Sequence, residues 1–319
     1  MRLPTALLTV FLTLALANAS NPRDHSLGAR HSRIASRMSP LEKKAPQKRC
    51  VRRDKGSKAK VTSTAKKEHT SVKASPSEAT FSPPSKDDGK PSGNASSGGK
   101  ILVASGKCGG SNAVAKTTKD NGPNGSIGFL NCGVDGSGWN PPPVHIDDVI
   151  VKSLSEAVQS PSSPFHACKS YVPLFNQYGD KYGIPAIFLA SFAMQESSCN
   201  PNTVGGGGEQ GLMQITKDKC DGAPGGDCKD PDFNIRTGAK FFADTLKSAG
   251  GNVLKAVAFY NGWYEGLTID KATAARHSSC CRCQQNLDYL HQFFNGWCQN
   301  IDAYDRKLGK YFNLDTCPT

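Results

Sequence analysis

The sequence predicts a mainly α, disulfide-stabilised domain that is preceded by a disordered basic segment. Three observations support this fold class. Beyond residue 160, apolar residues recur at helical spacing in several stretches. Twelve cysteines in 319 residues are typical of a chain that folds in an oxidising compartment. Residues 20–100 are rich in Ser, Pro, Lys and Gly and hold few large apolar side chains, so they cannot bury enough surface to fold.

The first 19 residues have the pattern of a secretory signal peptide. Arg2 supplies a positive start, residues 3–16 form a short apolar run, and Ala17-Asn18-Ala19 provides a small-residue cleavage site. The apolar run is shorter than a membrane-spanning helix requires. We therefore expect a secreted, extracellular protein that does not insert into a membrane.

The positive charge of the chain is concentrated in residues 20–100. The formal net charge is +12, and this segment contains 19 Lys and Arg against 7 Asp and Glu, whereas the remainder is nearly neutral. This distribution argues against nucleic acid as a partner, because the basic character does not belong to the folded part. Lys48-Arg49 and Arg52-Arg53 resemble dibasic processing sites, so the segment is interpreted as a linker or a propeptide.

The cysteine positions favour disulfides over a metal site. Cys108 and Cys132 bracket a loop-rich stretch, and Cys220 and Cys228 lie in a second one, so each pair is expected to close a loop. The cluster at residues 280–283 contains three more cysteines, but outside the cell disulfides are favoured, and we expect neither metal nor cofactor. Eleven cysteines follow residue 100, so one is either free or paired with Cys50 or with another chain.

Residues 101–160 are interpreted as a loop-rich N-terminal extension, and residues 161–319 as the main domain. No internal repeat is present, and the periodicity predicts five to seven helices with at most a small sheet. The predicted elements are helices at 147–158, 168–182, 234–248 with Asn234 as its cap, 253–259, 286–297 and 301–312, together with a small hairpin at 211–216.

A further, very apolar helix precedes Asn200-Pro201 and carries a single acidic residue, Glu196. Pro185 suits its first turn, and the residue before Pro201 is pushed out of the α region, so Glu196 lies in the last turn. Partial burial disfavours the charged form of a carboxyl group, and a neutral carboxylic acid can protonate a leaving oxygen. The alternative is an ordinary surface Glu at a helix end.

Three motifs in order support the catalytic interpretation. They are Glu196-Ser197-x-x-Asn200-Pro201, Gly211-Leu212-Met213-Gln214-Ile215 and Ala258-Phe259-Tyr260-Asn261. This order resembles the soluble lytic transglycosylases and goose-type lysozymes, which cleave the glycan strands of peptidoglycan. The resemblance covers residues 178–263 well. It implies an α+β lysozyme-like fold for residues 161–319, peptidoglycan or a related N-acetylated glycan as the partner, and a monomer.

The resemblance also implies roles for individual residues. Glu196 corresponds to the general acid that protonates the glycosidic oxygen and then acts as base. Substrate-binding roles are implied for Ser197, Met213, Gln214, Tyr260 and Asn261. The structural alternatives are a helix-end cap for Ser197, a buried strand around Met213 and a core position for Tyr260.

A second carboxylate is less evident. Goose-type lysozymes carry an aspartate directly after the second motif, where this chain has Thr216, and only Glu209 and Asp218 lie nearby. A single Glu fits the transglycosylase route, which yields a 1,6-anhydro sugar. The alternatives are a lysozyme-type hydrolase, a chitinase or chitosanase on the same fold, and a non-catalytic wall-binding protein. An extracellular enzyme that cleaves peptidoglycan by the transglycosylase route would be antibacterial.

Overall fold

The computed structural model describes residues 100–317, and these residues belong to one folded unit. The predicted signal peptide and the predicted basic segment, except for Lys100, lie outside the described residues. No helix within residues 100–317 is long and apolar enough to cross a membrane. In the same residues, no group of three His, Cys, Asp or Glu side chains is arranged to hold a metal ion.

Helices dominate the described part of the chain, which confirms the predicted mainly α class. A two-stranded antiparallel sheet pairs Ser105 with Gly110. In chain order the elements are β1 (Ser105–Gly106), β2 (Gly109–Gly110), α1 (Ile127–Leu130), α2 (Leu154–Ala157), α3 (Val172–Tyr182), α4 (Ala186–Ser197), α5 (Pro231–Ser248), α6 (Val253–Tyr260), α7 (Ile269–Ala272) and α8 (Tyr289–His291). The chain then continues without a break into a π-helix (Gln292–Gly296) and a 3-10 turn (Trp297–Gln299).

Helix α4 lies at the centre of the domain. Every residue from Ile187 to Ser197 is buried, as expected for a helix that is apolar all round. Phe188 and Phe192 pack against Phe242 of α5 and Phe293 of the π-helix, with ring centroids 4.7–6.2 Å apart. The other elements therefore pack around the helix that carries Glu196.

The end of α4 is set by two left-handed residues. Ser198 and Cys199 have φ values of 52° and 58°, so the helix ends before the Asn200-Pro201 pair that was expected to stop it. The disulfide between Cys168 and Cys199 joins this turn to the residues that precede α3. Glu196 therefore lies in the last turn, as the sequence predicted.

Helix α5 begins three residues before the predicted cap. Asp230, not Asn234, is the N-cap, and its carboxylate accepts from the backbone N–H of Phe233 at 2.9 Å. Asn234 is buried inside the helix, where its side chain accepts from Met213 N and donates to the carbonyls of Gln210 and Cys228, each at 2.8 Å. The prediction for Asn234 as a cap is wrong, because distant backbone groups use its amide.

Four other predicted elements differ from the structure. Residues 147–158 form a 3-10 turn, an extended stretch and the short α2, because Asn124 binds the backbone of Ile150 on both its donor and its acceptor side. The predicted helix at 286–297 begins only at Tyr289 and turns into a π-helix at Gln292–Gly296, and residues 301–312 are irregular. The hairpin at 211–216 is reduced to isolated bridges of Gln210 with Val204 and Ile215.

Five disulfides stabilise the described domain. The expected pairs Cys108–Cys132 and Cys220–Cys228 are confirmed. The cluster at 280–283 also forms disulfides, since Cys280 pairs with Cys283 and Cys281 pairs with Cys317. The odd cysteine of residues 100–317 is Cys298, which is buried as a thiol. Burial raises the pKa of Cys298 to about 12, so it stays protonated.

Candidate active site

Glu196 is buried at the C-terminal end of α4, with 2% of its surface exposed. Its Oε1 accepts a hydrogen bond from the hydroxyl of Tyr289 at 2.8 Å. Tyr289 is itself buried at the start of α8, where it packs against Phe293. A hydrogen bond to a carboxyl group in a buried site fixes the orientation of that group. The Tyr289 hydroxyl therefore fixes the orientation of the Glu196 carboxyl group.

Tyr260 lies on a second side of Glu196. Its ring stacks on Phe192 with centroids 4.2 Å apart, and its hydroxyl donates to the carbonyl of Met213 at 2.8 Å. Burial, followed by the negative charge of Glu196, raises the pKa of Tyr260 well above its ordinary value, and the same two causes raise the pKa of Tyr289. Both hydroxyls therefore remain protonated at neutral pH.

Ser197 ties α4 to the loop that contains the second motif. Its Oγ donates to the carbonyls of Ala193 at 2.9 Å and Leu212 at 2.8 Å. The side chain is buried and both contacts are with backbone groups. The structure thus uses Ser197 to hold the 211–215 loop against the helix end, and the expected substrate contact is not made by an exposed hydroxyl.

Met213 is a packing residue in this structure. Its side chain is fully buried, and its Sδ lies against Gly238 of α5, where an added Cβ would come within 2.7 Å. Its backbone N–H donates to Asn234 and its carbonyl accepts from Tyr260. In this structure the side chain of Met213 therefore packs inside the domain, and its contact with substrate stays a prediction.

Gln214 has an acceptor that no protein group uses within residues 100–317. Its φ of 46° is left-handed, which turns the side chain back onto its own loop. The Nε2 donates to the carbonyls of Thr203 at 3.1 Å and Gly211 at 2.8 Å. The Oε1 is buried and has no partner there. Since buried acceptors are usually paired, this oxygen is a candidate acceptor for a ligand N–H or O–H.

Asn261 organises the segment that carries Tyr289. Its Oδ1 accepts from the backbone N–H of Asn286 at 3.0 Å, and the Asn286 amide donates to Gln292 at 2.8 Å. Gln195, the neighbour of Glu196 in α4, also donates to Gln292, at 3.1 Å. These buried amides connect α4, α6 and the residues on both sides of Tyr289. Asn261 therefore connects α6 to the segment that carries Tyr289, and its contact with substrate stays a prediction.

Three residues bear on the question of a second acid. Thr216 accepts from Lys219 at 2.8 Å, and Lys219 also pairs with the exposed Asp218 at 3.1 Å. Glu209 is completely buried; its Oε2 accepts from the N–H of Gly207 at 3.1 Å, and its Oε1 has no partner within residues 100–317. Asp218 is held at the surface by a lysine, whereas Glu209 is an enclosed carboxyl group with an unused oxygen.

Tyr289 is the site residue that sequence reasoning missed. It lies in a stretch predicted only as a helix, 93 positions after Glu196. The available signal was a tyrosine within an apolar run, since a buried tyrosine usually needs a partner for its hydroxyl. Trp263 is buried against Trp139 and donates to the carbonyl of Asn286, which precedes Tyr289 in the chain.

The fold and the site together define a mainly α domain built around one buried carboxyl group at a helix end. Residues 173–273 match the family model of the transglycosylase SLT domain. This match agrees with the resemblance to the soluble lytic transglycosylases that the three motifs carry. The match contains all three motifs, and Tyr289 lies beyond its end.

The chain is also similar to individual proteins. Over 157 residues the chain is 32% identical to the membrane-bound lytic murein transglycosylase F of Serratia proteamaculans, covering 44% of this chain and 32% of that protein. The chain thus spans about a third of the length of this curated relative. Similar solved structures include the 70-kDa soluble lytic transglycosylase of Escherichia coli, with 21% identity and a TM-score of 0.29, covering 45% of this chain and 26% of that chain. The lytic transglycosylase Slt of Pseudomonas aeruginosa is similar with 17% identity and a TM-score of 0.28, covering 44% of this chain and 22% of that chain.

Proposed function

We propose that this chain is a secreted enzyme that cleaves bacterial peptidoglycan between N-acetylmuramic acid and N-acetylglucosamine by the lytic transglycosylase route. The observation that carries the proposal is the buried Glu196 carboxyl, held by Tyr289 at 2.8 Å, within a segment that matches the SLT domain. Secretion is inferred from the signal pattern of residues 1–19. An extracellular enzyme with this substrate would have an antibacterial effect.

In the first step, Glu196 acts as general acid. Its neutral form donates a proton to the glycosidic oxygen as the bond from that oxygen to C1 of the muramic acid breaks. Because Oε1 accepts from Tyr289, the acidic proton of the neutral carboxyl is carried on Oε2. The Tyr289 hydroxyl then stabilises the carboxylate that forms, since it remains a hydrogen-bond donor at neutral pH.

In the second step, the Glu196 carboxylate acts as base. It takes the proton of the substrate's 6-hydroxyl while that oxygen bonds to C1, which closes the 1,6-anhydro ring and returns Glu196 to its neutral form. The 6-hydroxyl is part of the same sugar, so its closeness replaces a bound water as the nucleophile. In this route the carbonyl oxygen of the substrate's own N-acetyl group bonds to C1 as the glycosidic bond breaks, and this new bond breaks in turn when the 6-oxygen bonds to C1.

Gln214 is the residue best suited to orient that N-acetyl group. Its Nε2 is fixed by two backbone carbonyls, so its Oε1 is presented in one direction. The amide N–H of an acetamido group is a donor that this unpartnered oxygen can accept. The loop that carries Gln214 is tied to α4 through Ser197, which couples the two parts of the site.

A second candidate function is a lysozyme-type hydrolase. It is favoured by one observation, the enclosed carboxyl group of Glu209 with its unpartnered Oε1. A second carboxylate that activates water on the opposite sugar face would make the reaction hydrolytic. Purified peptidoglycan incubated with the full chain tests both candidates: soluble muropeptides are expected for either, and no release beyond an enzyme-free control would reject both.

A further inference from the structure

The residues that hold Tyr289 in place come largely from outside the matched domain. Tyr289 lies in residues 286–296, which we call the Tyr289 segment. The N-terminal extension, residues 101–160, packs along this segment through buried hydrogen bonds. Neither part falls within residues 173–273, where the SLT domain matches. The contacts between the two parts are thus features of this chain outside the matched region.

Two buried asparagines of the extension bind the backbone on either side of Tyr289. Asn131 donates from Nδ2 to the carbonyl of Leu287 at 2.8 Å, two positions before the tyrosine. Asn124 donates from Nδ2 to the carbonyl of Phe294 at 2.8 Å, five positions after it. Both asparagines are nearly inaccessible, with 3% and 2% of their surfaces exposed. A buried amide that pairs with a buried carbonyl fixes the position of both groups.

Further bonds fix Asn124 itself and the end of the segment. Ile150 N donates to Asn124 Oδ1 at 2.8 Å, so the amide is held from its acceptor side as well. Asn295 accepts from Asn124 N at 2.8 Å and donates to Gly125 O at 2.9 Å. Thr117 Oγ1 donates to Asn295 O at 2.8 Å. The extension therefore binds the Tyr289 segment at several points, not at a single contact.

We propose that Asn124 and Asn131 are positioning residues of the active site, which act by fixing the backbone on either side of Tyr289 and so keep its hydroxyl on Glu196. Neither residue touches Glu196 in the hydrogen bonds that the structure shows; they act through Tyr289. The expected effect of these residues on catalysis rests on the proposed function. The hydrogen bonds of Asn124 and Asn131 to the backbone on either side of Tyr289, which we call the bracket, are a property of the fold and are tested separately below.

A double-mutant cycle on the full chain tests the coupling. Asn131→Ala is made in the wild type and in Tyr289→Phe, and kcat and KM are measured on soluble peptidoglycan strands. In the wild-type background we expect kcat to fall about tenfold with KM changed less than about twofold, because the orienting group shifts while binding is kept. In the Tyr289→Phe background the same substitution is expected to change kcat by less than about twofold.

Equal losses in both backgrounds would show a general structural effect and overturn the proposal. Asn121→Ala is the matched control, because among residues 100–317 the side-chain hydrogen bonds of Asn121 stay inside the extension, where its amide donates to Asn112 O at 2.9 Å. Should Asn131→Ala fail to fold, Thr117→Val tests the same coupling by removing a single hydroxyl donor.

Hydrogen exchange tests the bracket without requiring activity. In Asn131→Ala, the amides of residues 286–296 are expected to exchange faster than in the wild type, and in Asn121→Ala they are expected to match it. Unchanged exchange in Asn131→Ala would overturn the bracket even if the enzyme is active. A wild type that releases nothing from peptidoglycan, together with the expected exchange pattern, would reject the proposed function and keep the bracket.

Discussion

The hydroxyl of Tyr289 donates to Oε1 of Glu196 over 2.8 Å, although 93 positions separate the two residues. Glu196 ends the central helix of the SLT-matched segment, whereas Tyr289 belongs to a helical run beyond it. The oriented carboxyl group therefore depends on the C-terminal part of the chain. The predictions below follow from this arrangement and from the contacts around it.

Replacing the acid of Glu196 by an amide should abolish catalysis and keep the fold. Glu196→Gln retains the shape of the side chain and an acceptor for Tyr289, but it has no acidic proton to donate. We expect release of muropeptides to fall by about a hundredfold or more. The exposed Glu156→Gln is the control. A Glu196→Gln protein that clears bacterial wall at near the wild-type rate would contradict the assignment.

Removing the hydroxyl that orients Glu196 should slow the reaction without weakening substrate binding. For Tyr289→Phe we expect kcat to fall about tenfold, because a charge-assisted hydrogen bond is worth about 1.5–3 kcal/mol. Tyr178→Phe is a matched control, since Tyr178 donates to the carboxylate of Asp232 at 2.6 Å, away from Glu196 in sequence and in contacts. Equal losses in both variants would point to a loss of stability instead.

The identity of the product separates the two proposed reactions. If the substrate's 6-hydroxyl attacks C1, the muropeptides end in 1,6-anhydro sugars, which are lighter than hydrolysed ends by one water. We expect mainly the anhydro form by mass spectrometry, and Glu209→Gln is expected to leave that product distribution unchanged. Mainly hydrolysed ends that disappear in Glu209→Gln would establish the lysozyme-type route with Glu209 as the second carboxylate.

Mild acid should destabilise the domain through His291. Burial lowers the pKa of His291 below its ordinary value of 6.5, although the Thr118 carbonyl and nearby Asp288 and Asp120 oppose this shift. Its Nδ1 lies 3.1 Å from the donating amide of Asn295, a contact that suits the neutral ring. The unfolded chain therefore binds a proton first, so this contribution is present above pH 6.5 and is lost as pH falls below it.

The acid effect can be measured as the free energy of unfolding in urea between about pH 7.5 and pH 5.5. A single group contributes a slope of at most about 1.4 kcal/mol per pH unit. We expect His291→Gln to flatten this slope, while His166→Gln, which changes an exposed side chain, should follow the wild type. Parallel curves for His291→Gln and the wild type would refute the prediction.

The N-terminal boundary of the folded part can be tested by truncation. A chain that starts at Ile101 keeps every contact of residues 101–317 and is expected to fold and to retain activity on soluble glycan strands. A chain that starts at residue 161 loses the hydrogen bonds of Asn124 and Asn131 to the Tyr289 segment. We expect this shorter chain to be insoluble or inactive, as judged by near-UV circular dichroism and muropeptide release.

Several features were predictable because their causes are local in the sequence. Helical spacing and flanking prolines placed Glu196 in the last turn of an apolar helix. The predicted end of the helix at residue 182 is confirmed, since Gly183 follows with φ of 66°, a left-handed conformation that glycine adopts without strain. Cys220 and Cys228 are eight positions apart and close their loop as predicted. In each case the deciding interaction lies within a few residues of its signal.

The roles of the polar side chains were decided only by the tertiary structure. Asn234 looked like a helix cap and instead binds Met213, Gln210 and Cys228. Ser197 and Asn261 each bind buried backbone of a distant segment, whereas their contact with substrate stays a prediction. The sequence by itself determined which helix carries the acid, since backbone preferences act locally. The partner of that acid, Tyr289, was decided by packing, because a buried polar group pairs with whichever group the fold brings within hydrogen-bonding distance.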